Sequence, residues 1–173
     1  MAELPLYERK TSFERPCALN EAPAGDTEPW SWIPGGEGLS YERDFGRSDR
    51  YSLKIARTTP GLSQWHTVRE GEGSFTDRWS DYMTFRVSGW IKTSGVTGHG
   101  ACIALRWARY NEPPVYPFGY SQRLTGANDW TRVSVELSGK HPPDCSAVEI
   151  ALMLQGAGTA WFDDVEVKVE SGQ

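Results

Sequence analysis

Tyr82-Met83-Thr84-Phe85-Arg86-Val87-Ser88-Gly89-Trp90-Ile91-Lys92, followed by Thr93-Ser94-Gly95, is the stretch that decides the fold class. Phe85, Val87 and Ile91 share one side of an extended chain with Gly89, and Arg86, Ser88 and Trp90 share the other. This period of two is the mark of a half-buried strand, and the Thr-Ser-Gly that follows supplies the turn. Ala101 to Trp107 repeats it, with Ile103 and Leu105 against Cys102, Ala104 and Arg106. Trp130 to Leu137 sets Val133, Val135 and Leu137 against Trp130, Arg132, Ser134 and Glu136. Val148 to Gln155 sets Val148, Ile150, Leu152 and Leu154 against Glu149, Ala151, Met153 and Gln155.

Leu39 to Phe45, Tyr51 to Arg57, Gln64 to Arg69 and Ala160 to Val169 are strand-like but less regular, which gives about eight or nine strands at sandwich spacing. No segment carries a helical stripe, and the Pro-rich run Asn111 to Phe118 reads as a long ordered loop. Two packed antiparallel sheets, a β-sandwich of jelly-roll type, bury so many one-sided strands without helices. The 173 residues fit one all-β domain, residues 1–173, with no repeat or linker.

Eight Trp, seven Tyr and six Phe exceed what such a core requires and leave aromatics for the surface. A formal net charge of -5 without a basic cluster argues against a nucleic-acid partner. No apolar run reaches the roughly 18 residues of a membrane span. Cys17, Cys102 and Cys145 cannot all pair within one molecule and match no zinc or redox spacing; buried thiols and a single disulfide both remain open.

Five segments carry a resemblance: Thr11-Ser12-Phe13-Glu14, Arg50 to Ile55, Val87 to Lys92, Asn128 to Val133, and Gly158 to Val165 with its Trp161-Phe162-Asp163-Asp164. In this order they resemble the characteristic blocks of CenC-like carbohydrate-binding modules, the group that includes families 4, 9, 16 and 22. The resemblance implies a galactose-binding-like β-jelly roll and non-catalytic polysaccharide binding across the concave sheet. It further implies a structural calcium joining the chain ends, with Glu14 and Asp163 or its neighbour Asp164 in the matching positions. Hard cations take several oxygen ligands, so one carboxylate from each end plus backbone carbonyls suits that role. The ligand class it suggests is a plant or algal cell-wall β-glycan. The expected setting is a monomeric module of a larger, secreted bacterial protein, serving an attached polysaccharide-degrading enzyme.

Sugars present apolar C–H patches beside dense hydroxyls, so a receptor needs aromatic planes together with amides, carboxylates or guanidinium groups. The polar strand faces supply Arg86, Arg106, Arg132, Glu136, Glu149 and Gln155 with Trp90, and a neighbouring segment supplies Gln64, Trp65 and His66. Trp30, Trp32, Tyr116 and Tyr120 are further stacking candidates. Each has a structural alternative: tryptophans pack in cores, and the arginines ladder with Glu136 and Glu149 across strands. The same arginines leave room for an acidic polysaccharide, because guanidinium pairs bidentately with carboxylate.

Two other function classes stay open. Jelly rolls also carry glycoside hydrolases, which use two carboxylates, for which Glu136 and Glu149 on neighbouring strands are the pair to weigh, and polysaccharide lyases, with whose Gln-x-His tripeptide Gln64-Trp65-His66 agrees although their Tyr-rich C-terminal motif is missing. A structural spacer or protein-binding sandwich is the second, and a face of short charged residues without an exposed ring would favour the spacer. Nucleotide, zinc and nucleophile-elbow motifs are missing.

Overall fold

Alternation dictates the strands, and glycine-rich corners decide how they stack. The computed structural model describes residues 7–11, 32–48, 51–67, 82–108, 116–140, 142–143, 145 and 147–171. In chain order the strands are β1 (Tyr7–Thr11), β2 (Trp32–Gly35), β3 (Leu39–Arg43), β4 (Tyr51–Thr67), β5 (Tyr82–Ala108), β6 (Gly119–Tyr120), β7 (Leu124–Lys140) and β8 (Ala147–Ser171). All pairings are antiparallel, in the order β2-β4-β8-β5-β6, with β1 on β8, β3 on β4 and β7 on β5. Among the described residues there is no helix, and so none long and apolar enough to cross a membrane.

The long strands fold back on themselves. Phe85 and Trp107 belong to the same strand, 22 positions apart, which would be about 70 Å in a straight strand. Their rings instead meet edge to face, with centroids 5.8 Å apart. A Cβ placed on Gly89 would stand 2.8 Å from Cδ1 of Ile103, so the two halves of β5 lie directly one on the other. The two layers of the sandwich are therefore halves of one hydrogen-bonded sheet. The first half contains residues 51–57, 82–94, 131–140 and 159–171; the second contains 61–67, 100–108, 119–120 and 147–155.

The strands change layer where their ladders slip, between Arg57 and Gly61 in β4 and between Ser94 and Gly100 in β5. At the matching corner of β8, Gly156 and Gly158 take φ of 145° and 111°. A Cβ on Gly156 would lie 1.8 Å from the Thr97 carbonyl oxygen, and one on Gly158 2.5 Å from that of Gly95. Only glycine lets the two corners nest this closely.

Between the layers lie Phe85, Val87, Ile91, Val133, Val135, Phe162 and Val167 from the first half and Ile103, Leu105, Ile150, Leu152 and Leu154 from the second. The inward sets expected from the alternation are buried here, Leu137 only in part. The expected separation into eight or nine short strands differs in one respect: 82–92 and 101–107 are one bent strand, as are 51–57 with 64–67 and 148–155 with 160–169. The corners retain enough hydrogen bonding to keep each pair continuous. β1, β2 and β6 were not expected from the alternation, being too short to display it.

Candidate functional site

The outer face of the second half gathers an unusual set of side chains. Alternation that buries Ile103, Leu105, Ile150 and Leu152 turns Cys102, Ala104, Arg106, Glu149, Ala151, Met153 and Gln155 outward. One row runs straight across five strands: Ile33, His66, Ala151, Ala104 and Tyr120. Four interstrand steps make it about 19 Å long. The next rows hold Gln64, Met153 and Cys102, and then Leu62 and Gln155.

The small residues in the middle form a seat. Cys102, Ala104, Ala151 and Met153 make a second apolar cluster, separate from the main core, and Phe118 packs on it. The Arg106 guanidinium lies 3.9 Å over the Phe118 ring. Phe118 and Tyr120 are tilted neighbours, centroids 6.2 Å apart. Arg123 stands 4.3 Å over Tyr120 and donates to Gln155 Oε1 at 3.3 Å. Ser121 locks this segment down: its N–H donates to the Ile103 carbonyl at 2.8 Å, and its Oγ accepts from the Ile103 N–H at 2.9 Å.

At the other side of the face, Arg106 donates through Nε and Nη2 to Glu149 Oε2, both at 2.9 Å. His66 Nδ1 lies 3.6 Å from Glu149 Oε1. The Glu149 side chain is only 3% exposed, so this pairing compensates a carboxylate withdrawn from water. Gln64 Oε1 is buried without a hydrogen-bond partner. Cys102 is a buried free thiol whose pKa burial pushes up to about 11, against the opposing charge of Arg123.

Among the described residues the exposed large apolar side chains are Ile33, Leu62 and Tyr120, at 38%, 50% and 46%. All three lie on this one face, Leu62 opposite Gln155, Tyr120 beneath the guanidinium of Arg123, and Ile33 at the far end of the row. Rings and aliphatic surface next to fixed polar groups are what a sugar polymer needs from a receptor.

Gln64, His66, Arg106, Glu149, Gln155 and Tyr120 are thus brought together, all of them candidates from the sequence. The remaining candidates are not. Trp65 and Trp32 are corrected to core residues, each 2% exposed: in β4 the side chain between Gln64 and His66 must point inward, where Trp65 Nε1 donates to the Lys54 carbonyl at 3.2 Å. Tyr116 is half-buried against the same core. Arg86 and Trp90 face outward, but from the first half, on the opposite side of the sandwich. Arg86 ladders with Glu136 at 2.7 Å and Glu170 at 3.1 Å, the structural alternative weighed for it. Trp90 lies beneath Arg47, whose guanidinium carbon is 3.5 Å from the ring centroid. Glu136 and Glu149, the carboxylates weighed for a hydrolase, lie on opposite outer faces. Trp30 is outside the described residues.

Of the two positions expected to hold calcium, Glu14 lies outside the described residues. Asp163 is fully buried; its Oδ2 accepts the Arg47 N–H and its Oδ1 the Asp164 N–H, both at 2.7 Å. Asp164, at φ 49°, pairs with the Arg47 guanidinium at 2.9 Å and the Ser48 hydroxyl at 2.7 Å. Among the described residues no group of three His, Cys, Asp or Glu is placed to hold a metal ion.

Phe118 and Arg123 escaped the sequence reading. Both sit in irregular chain around the two-residue β6, where no alternation assigns a face. The usable signal was Pro117-Phe118-Gly119-Tyr120, two rings spaced to share a side.

No protein-family model matches the sequence, and no characterised protein matches it in sequence. Solved structures do match. The CBM22-1 xylan-binding domain of Paenibacillus barcinonensis Xyn10C aligns with TM-score 0.61 at 11% identity, over 95% of this chain and 94% of that one. The CBM22-1–GH10 modules of Clostridium thermocellum xylanase 10B, complexed with xylohexaose, align with TM-score 0.56 at 13% identity, over 83% of this chain and 26% of that one. A cyclase from Fischerella sp. TAU aligns with TM-score 0.58 at 14% identity, over 84% and 87%. At such identities the likeness is one of fold. The chain has the β-jelly-roll fold seen in these carbohydrate-binding modules.

Proposed function

We propose that the chain is a non-catalytic carbohydrate-binding module that holds a polysaccharide across the outer face of residues 61–67, 100–108, 119–120 and 147–155. The observation that carries this reading is the gathering of Ile33, Leu62 and Tyr120 on that face with Arg123 and Gln155. A spacer that had lost its ligand would have no reason to leave three large apolar side chains on one side of the sandwich and none exposed, among the described residues, on the other. The xylan-binding domains that share the fold support a β-linked wall glycan as the ligand class. Glycan rings would lie on Tyr120 and the aliphatic surface, with hydroxyls bonded to Gln155, Arg123 and the His66 side of the row.

The wider setting belongs to the same proposal: a monomeric module within a larger secreted protein, serving a polysaccharide-degrading enzyme. So does a structural calcium shared by Glu14 and Asp163, which would raise the melting temperature on addition of calcium and lower it in chelator. Affinity electrophoresis against soluble xylan, mixed-linkage glucan and mannan tests the function. Retardation by at least one supports it; no retardation, or shortening of the polymer, overturns it in favour of a spacer or an enzyme.

A further inference from the structure

The two arginines of the proposed binding face are in different electrical states. Arg106 is neutralised by Glu149, on which two of its nitrogens converge at 2.9 Å. Arg123 is not: its polar partner is the uncharged Gln155 amide, at a long 3.3 Å, and its face is stacked on Tyr120. No carboxylate among the described residues pairs with it, and Glu149, the acidic side chain on this face, is already occupied by Arg106. A half-buried guanidinium held over an exposed ring, in a chain of formal net charge -5, is an isolated positive site within an acidic molecule. Its position is fixed from below by the two Ser121–Ile103 hydrogen bonds and from the side by Tyr120.

A pre-positioned, unneutralised guanidinium beside a sugar-stacking ring selects a planar anion on the ligand, because its parallel N–H groups match carboxylate geometry. We infer that this face recognises a uronate-bearing polysaccharide, with Arg123 pairing the uronate carboxylate while the neighbouring ring stacks on Tyr120. The inference rests on the glycan-binding reading and adds the charge class of the ligand and the residue that selects it. Uronates occur both as side groups on a neutral backbone and as the backbone itself; the chemistry Arg123 reads is common to both.

The test is affinity electrophoresis and titration calorimetry of the whole chain against glucuronoxylan and polygalacturonate, each beside its carboxyl-reduced counterpart. Arg123→Gln and Arg123→Lys are run together with Arg86→Gln, which removes an arginine from the opposite face. The expected result is at least tenfold weaker binding of the carboxyl-reduced form of whichever polymer binds. Arg123→Gln shows the same loss for the native polymer, Arg123→Lys loses less, and Arg86→Gln binds as the wild type does. Raising salt to about 1 M, where screening acts over about 3 Å, weakens the native polymer selectively. Equal binding of native and reduced polymers overturns the inference while leaving glycan binding intact. Binding of neither polymer, nor of any neutral glycan, overturns both.

Discussion

Arg106 and Glu149 form an ion pair within the outer face of the sandwich, two guanidinium nitrogens on one carboxylate oxygen at 2.9 Å, with Phe118 stacked on the guanidinium. The pair connects β5 to β8 and at the same time holds the ring that fills the alanine seat.

Because the Glu149 side chain is 3% exposed, removing its partner strands a charge away from water. Arg106→Leu is expected to cost about 3–5 kcal/mol, the range for breaking a buried pair from one side. Urea denaturation checks this: the midpoint falls while the slope stays near the wild-type value.

The corner glycines make a second prediction. Gly156→Ala forces a Cβ into the Thr97 carbonyl at a φ of 145°, so the β5 and β8 corners must separate. The expected loss is about 3 kcal/mol or more, since strained backbone and a steric clash coincide. Thermal unfolding measures it; a loss below about 1 kcal/mol would mean that the two corners do not nest.

Trp65 and Tyr120 separate packing from binding. Trp65→Ala empties a core position and is expected to cost about 3–5 kcal/mol of stability. Tyr120→Ala removes a 46% exposed ring, leaving stability within about 0.5 kcal/mol but weakening glycan binding about tenfold. Denaturation and calorimetry on the two variants check the pair of outcomes.

Cys102 is expected to be inert in the native protein. With its pKa raised by burial to about 11, on the order of one thousandth of it is thiolate at pH 8. Iodoacetamide at pH 8 followed by peptide mass mapping should leave Cys102 unlabelled in buffer and labelled in concentrated urea.

Strand faces were legible wherever apolar and polar residues alternate over several positions. Phe85, Val87 and Ile91 point inward, as do Val148, Ile150, Leu152 and Leu154, as their sequence requires, because one slip would place every apolar side chain in water. The same rule separates Trp65 from Gln64 and His66, and reading all three as one contact set ignored it. That 82–92 and 101–107 belong to one folded strand was not legible, since a glycine-rich corner and an ordinary hairpin turn share composition. The face itself was half legible: Gln64, His66, Arg106 and Gln155 follow from alternation, whereas Phe118 and Arg123 reach it through irregular chain whose placement depends on the seat of small residues beneath.

The central claim is that the glycan lies on the second half of the folded sheet, and affinity electrophoresis of wild type, Tyr120→Ala and Trp90→Ala in a gel containing the bound polysaccharide tests it most directly. Retardation of wild type and Trp90→Ala, with Tyr120→Ala running free or nearly so, is the predicted result. Retardation kept by Tyr120→Ala and lost in Trp90→Ala would place the site on the opposite face, beneath Arg47, and contradict the account.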